Sequence, residues 1–176
     1  NLSPKQVDFA RTILSSGTNL LNVINHVLDL SKVEAGKMEI TPTDVPLADL
    51  AGFVDRTFRP IAEQKKLEFG VDIEPDVPRT IFTDGQRVEQ VLKNLLSNAF
   101  KFTESGSVRM SISLADRLRS AGSLKQAEQV IAFAVRDTGI GISQDKQQLI
   151  FEAFQQADGT TSRKYGGTGL GLSISR

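Results

Sequence analysis

The chain has 176 residues, 39% of them hydrophobic and 24% charged, with Lys plus Arg equal to Asp plus Glu at 21 each. That is room for one sizeable domain and a small appendage, and the even charge balance leaves no basic excess for nucleic acid and no acidic tail. With no cysteine, disulfides and thiolate metal sites are excluded, which fits a reducing compartment, and no apolar run nears the roughly 20 residues of a membrane span.

The chain opens mid-pattern, as an excised piece would, without a visible signal peptide. Ser3-Pro4 reads as a helix entry, with Ser3 as N-cap. The helix is expected from about Pro4 to Ala35, with Gly36 just past its end. Ala10, Ile13, Gly17, Leu20, Ile24 and Val27 step by three and four, the seam of a coiled coil or bundle, and Leu14, Leu21 and Leu28 widen it. So broad a face needs a partner, either a helix from elsewhere or a second copy. Pro42 and Pro46 then punctuate the chain, placing a domain boundary near Gly36 to Thr43.

Leu47, Leu50, Phe53, Val54, Phe58 and Ile61 mark an amphipathic helix. Strands are predicted over Leu67 to Ile73, Arg79 to Thr83, Ser107 to Leu114 and Gln129 to Arg136, with a long hairpin connection over Ala115 to Glu128. Asp84 caps a helix from Arg87 to Thr103, whose core face carries Val88, Val91, Leu92, Leu95, Leu96 and Ala99. Gln144 to Phe154 reads as helical, Gln155 to Tyr165 as a polar lid, and a last helix starts near Thr168.

Two glycine clusters stand out, Asp137-Thr138-Gly139-Ile140-Gly141-Ile142 and Gly166-Gly167-Thr168-Gly169-Leu170-Gly171. Glycine loops expose bare N–H groups that can cradle phosphate. Neither cluster is a P-loop, since Leu172-Ser173 follows Gly171, and Gln144 breaks the dinucleotide fingerprint. The helix between Arg87 and Thr103 adds Gln90, Asn94, Asn98 and Lys101 down one side. Asparagine is a poor helix former, so two of them four apart call for a role. A carboxamide oxygen is a hard, neutral ligand suited to a magnesium ion that also holds phosphates. Lys101, a turn on, is a point charge for the same phosphates. An ordinary solvated face would more usually carry Glu, Lys and Arg.

Asn94-x-x-x-Asn98-Ala99-Phe100-Lys101-Phe102-Thr103 resembles the N box of sensor histidine kinases. Asp137-x-Gly139-x-Gly141 resembles their first glycine box, Phe151-Glu152-Ala153-Phe154 their F box, and Gly167 to Leu172 their second glycine box. The run Asn22 to Lys37 resembles the end of their second dimerisation helix. The resemblance covers nearly the whole chain. It implies the α+β ATP-binding fold shared with gyrase, Hsp90 and MutL, a two-layer sandwich with helices on one face of a mixed sheet, preceded here by one long bundle-forming helix. Residues 1–40 would be the second dimerisation helix and 41–176 the catalytic domain, with the acceptor helix and the last strands of the sheet lying outside the sequence.

By the same resemblance the cofactors are ATP and Mg2+. Asp137 accepts from the adenine amino group, Asn98 ligates magnesium with Asn94 and Lys101 nearby, and Gly167, Gly169 and Gly171 wrap the phosphates. Phe102, Gly139, Gly141, Ile142, Tyr165, Thr168 and Leu170 complete the nucleotide pocket. Gln156 stands where many relatives carry an Arg, so Arg163 or Lys164 takes over that charge, or both are solvated lid residues. His26, the one histidine, does not sit in an acceptor box, so the piece alone is not expected to phosphorylate itself. The implied activity is transfer of the ATP γ-phosphoryl group to a histidine in two-component signalling. The implied partners are a second copy, through the N-terminal helix, and a response regulator or receiver domain, with no nucleic acid. The implied location is cytoplasmic, within a parent that could be membrane-anchored. A nucleotide-sensing interaction module without phosphotransfer is the alternative, and a gyrase- or MutL-type ATPase fits the helix ending at Gly36 and the Phe151–Phe154 box less well.

Overall fold

The structure is a computed structural model and describes residues 2–115, 129–152 and 171–175. It forms two compact units, Ile40–Gln144 and a second made of Asn1–Glu39 with Asp145–Arg176.

In the second unit, α1 spans Pro4–Glu34. Its start is the expected one, with an added reciprocal bond. The Gln6 N–H donates to Ser3 Oγ, and the Ser3 N–H donates to Gln6 Oε1 at 2.8 Å. Its end is the expected glycine, Gly36 at φ 61°, whose N–H reaches Val33 O. Phe9, Ile13, Leu14, Leu20, Leu21 and Leu28 are all exposed along it. Gln144 to Phe151 is not the expected α-helix but two single 3-10 turns, Gln144–Lys146 and Leu149–Phe151. The run Gln-Asp-Lys-Gln-Gln has no apolar stripe to bury, and without tertiary packing a short helix is marginal. A helical turn at Gly171–Ile174 is the described part of the last helix. The long connection, the lid and most of the second glycine cluster lie outside the described residues.

The Ile40–Gln144 unit opens with β1 (Thr43–Pro46), a strand not expected from the sequence, followed by α2 (Leu47–Lys65). Then come β2 (Glu68–Ile73), β3 (Thr80–Thr83), α3 (Gly85–Phe102), β4 (Ser107–Leu114) and β5 (Ile131–Asp137). β1 pairs antiparallel with β3, while β4 sits between a parallel β2 and an antiparallel β5, giving the expected mixed sheet. Alternation puts Val108, Met110 and Ile112 of β4 on one face, all 0% exposed. Against that face pack Leu50, Val54 and Phe58 of α2 and Leu92, Leu96 and Phe100 of α3. Burying each such side chain is worth about 1.5–3 kcal/mol. The other face is wet, with Arg109 paired to Asp72 at 2.8 Å. Val88, Val91 and Leu95, expected on the α3 core face, are only half-buried. Phe100 is buried instead, stacked on Phe58 at 5.4 Å and edge-on to Phe69 at 5.3 Å.

Asp84 caps α3 as expected and also ties down the entry segment. Its Oδ1 accepts from the Arg87 N–H and its Oδ2 from the Thr41 N–H, each at 3.1 Å. The Thr41 bond first, then the Arg87 bond, hold the carboxyl below its ordinary 3.8. This stabilisation is present in full above pH 3.8 and is lost as pH falls from there through the lower folded value. Asp84→Asn keeps a capping oxygen but not the charge. Its thermal midpoint should therefore be lower than that of the parent at neutral pH, with the gap narrowing in acid. Parallel midpoint–pH curves would contradict this role.

Candidate functional site

β5 delivers Asp137 as its last residue, opposite Val108 of β4. Phe133 and Val135 point to the helix side, and the two-residue period puts Asp137 on the same side. Next the Thr138 N–H donates to Ser107 O at 3.1 Å, and the chain leaves the sheet. The Gly139 N–H then turns back to donate to Asp137 Oδ1 at 2.8 Å. A Cβ on Gly139 would lie 2.5 Å from Phe102 O and 2.8 Å from Asp137 Oδ1, so this close approach requires glycine. The Ile140 N–H donates to Phe102 O at 3.4 Å, seating the loop on the C-terminal end of α3. Gly141 comes next but one, at φ 69° after Ile140.

One oxygen of Asp137 is thus fixed by its own loop. The other, Oδ2, accepts no hydrogen bond among the described residues. An ionised carboxylate only accepts, so it welcomes an amino group there and repels a carbonyl. Ile140, 72% exposed, and Ile142, 49% exposed, follow in the same loop.

On α3, Asn94, Asn98 and Lys101 share one stripe at i, i+4 and i+7, all half-buried. Gln90 on the same stripe is engaged by the Arg87 guanidinium at 2.9 Å. The Asn98 carboxamide has no hydrogen-bond partner among the described residues. Lys101 Nζ lies 4.8 Å from the centre of the Phe102 ring. Burial pushes its ammonium below the ordinary 10.5, the direction a neighbouring anion would reverse.

The structure therefore brings Asp137 and Gly139 to Phe102, at the end of the helix that carries Asn94, Asn98 and Lys101. Gly171 belongs to the other unit. Gln156, Arg163, Lys164, Tyr165, Gly167, Thr168, Gly169 and Leu170 lie outside the described residues. Sequence reasoning does not single out Thr138 or Gly106, yet both hold the loop. A Cβ on Gly106, at φ 103°, would come 2.2 Å from Thr138 Oγ1. The only trace of this in the sequence is the Ser-Gly-Ser turn just past the α3 end.

Residues 83–176 match the family described as histidine kinase-, DNA gyrase B-, and HSP90-like ATPase. Hybrid signal transduction histidine kinase K of Dictyostelium discoideum is 40% identical over 174 residues, 99% of this chain and 14% of that protein. Signal transduction histidine-protein kinase BarA of Escherichia coli K12 is 41% identical over 175 residues, 99% of this chain and 18% of that protein. Among solved structures, full-length ShkA in complex with AMPPNP superposes with a TM-score of 0.77 at 32% identity, covering 99% of this chain and 33% of that one. The chain thus spans under a quarter of the length of these two curated relatives. The resemblance and the fold class drawn from the motifs are borne out by these matches and by the mixed sheet with its helices on one face. The chain belongs to the histidine kinase-, DNA gyrase B-, and HSP90-like ATPase family, among its sensor histidine kinases.

Proposed function

We propose that this chain binds Mg-ATP at the α3–Asp137 corner and that its parent transfers the γ-phosphoryl group to a histidine on a dimerisation helix. The observation that carries this is Asp137, with Oδ1 fixed by Gly139 and Oδ2 accepting no hydrogen bond among the described residues, in a loop that also holds two exposed isoleucines. That is an acceptor aimed at an adenine amino group. Residues 41–176 act as the catalytic domain. Residues 1–40 act as the second dimerisation helix, whose exposed apolar residues pair with a second copy. A response regulator or receiver domain takes the phosphoryl group onward, and a cytoplasmic setting supplies the ATP.

Magnesium fits the residues at hand. Asn98 is half-buried with no hydrogen-bond partner for its carboxamide among the described residues, and Mg2+ needs only one or two protein oxygens when phosphates and waters supply the rest. Bound there, the ion would neutralise phosphate charge. Lys101 holds a phosphate oxygen, Asn94 supports Asn98, and the backbone of Gly139 and Gly141 gives the nucleotide close access. The remaining candidates act from the lid side, namely Gly167, Gly169 and Gly171 around the phosphates with Arg163 or Lys164 in place of an arginine at Gln156. Phosphoryl transfer asks the protein chiefly to position and to neutralise. A neutral imidazole is already a nucleophile, so this domain supplies no base.

Isothermal calorimetry of Asn98→Ala tests the assignment. The expected result is loss of the magnesium-dependent gain in ATP affinity with adenosine binding intact. Equal losses for adenosine and Mg-ATP would mean that Asn98 supports the fold of the pocket and not the metal.

A further inference from the structure

We infer that Thr138 is a positioning residue, whose hydroxyl sets the direction in which Asp137 presents its carboxylate. This rests on the reading of the corner as an ATP site. The Ser107 N–H donates to Thr138 Oγ1 at 3.0 Å, while the Thr138 N–H donates to Ser107 O at 3.1 Å. Thr138 therefore takes both backbone groups of Ser107, one with its side chain and one with its main chain. Its own hydroxyl proton can go to Ser105 O at 3.3 Å or to Ser107 O at 3.4 Å.

These bonds extend the β4–β5 ladder one step past its last register pair, Val108 with Asp137. They lie immediately beside the residue whose direction matters. Without the hydroxyl bonds, the pairing of Thr138 with Ser107 falls to the single Thr138 N–H bond to Ser107 O, next to the Gly139 turn and the 3.4 Å bond from Ile140. With them, the backbone on the far side of Asp137 is fixed to β4. The receiving turn is shaped for this hydroxyl, since any side chain at Gly106 would collide with Thr138 Oγ1 at 2.2 Å.

A methyl-for-hydroxyl change isolates the bonds. Thr138→Val keeps the shape and the β-branch but can neither accept from Ser107 nor donate to the turn. Thr138→Ser keeps the hydroxyl without the methyl. Because Thr138 is exposed, both changes leave the core untouched. Thr138→Ala serves as a second truncation should Thr138→Val fail to fold by circular dichroism. Each variant, with Asp137→Asn alongside, is titrated with ATP and with GTP by calorimetry.

Losing a neutral hydrogen bond corresponds to roughly a two- to tenfold change in affinity. The expected result is a loss of about that size for ATP in Thr138→Val, a narrower preference for ATP over GTP, and near-parental values in Thr138→Ser. Parental ATP affinity in Thr138→Val alongside weakened Asp137→Asn would overturn the role of Thr138 and leave the ATP reading standing. A loss in Thr138→Ser as large as in Thr138→Val would also overturn it, because the hydroxyl would not be what acts. Unchanged ATP binding in Asp137→Asn would defeat the ATP reading itself, and with it any positioning through Asp137.

Discussion

Phe100→Ala is expected to lose about 3–5 kcal/mol of stability, the range for deleting a large aromatic from a packed core. Phe100 is 3% exposed, stacked flat on Phe58 of α2 at 6° between planes and met edge-on by Phe69 of β2. One ring thus joins two helices and the sheet, and its removal opens a cavity that rigid neighbours cannot close. The geometry adds to plain burial, since well-arranged aromatic pairs contribute about 0.5–1.5 kcal/mol beyond their area. Phe100 also lies between Asn98 and Lys101 on α3, so the fold and the site share this anchor. Denaturant unfolding followed by circular dichroism measures the loss. A decrease below about 1 kcal/mol, the level of a typical surface change, would mean that the Phe58–Phe100–Phe69 cluster does not anchor the core.

Asp137→Asn is expected to weaken ATP binding by roughly tenfold or more, from loss of a charge-assisted hydrogen bond worth about 1.5–3 kcal/mol. The amide is nearly isosteric, and Asp137 is exposed, so the fold should be untouched. What changes is chemical. The carboxylate offers only acceptors, whereas the amide can turn its NH2 toward the adenine amino group. The Gly139 N–H at 2.8 Å biases the amide oxygen to stay where Oδ1 was, which leaves the NH2 facing the ligand. Unchanged ATP affinity in a folded variant would remove Asp137 from the base-recognition role.

The parts of this protein that are legible in the sequence are those whose signals are local. β4 is legible at its observed bounds because Val108, Met110, Ile112 and Leu114 alternate without interruption. α3 is legible because Asp84 supplies a cap and the apolar residues repeat at helical spacing. β1 is not, because a four-residue strand with one half-buried side chain, Val45, leaves no periodicity. Its partner lies far along the chain, Thr43 pairing with Thr83. Phe100 escapes the expected core face because it lies at the edge of the helical stripe, where only the tertiary contact with Phe58 decides burial.

The site divides in the same way. Asp137, Gly139 and Gly141 are visible as a motif, and Asn94 and Asn98 as poor helix formers in a strong helix. The hydroxyl of Thr138 is not, since its acceptor and donor groups come from Ser105 and Ser107, about thirty residues earlier. The expected 144–154 helix fails for a physical reason too. Its first residues are all polar, and a short segment without a buried face gains too little to nucleate.

The central claim is that the α3–Asp137 corner recognises adenine. The most direct measurement is a calorimetric titration of this chain with ATP and, separately, with GTP, both in magnesium. A lone acceptor at Asp137 Oδ2 predicts measurable ATP binding and much weaker GTP binding, because guanine presents a carbonyl where adenine presents its amino group. Equal affinity for the two nucleotides would contradict it.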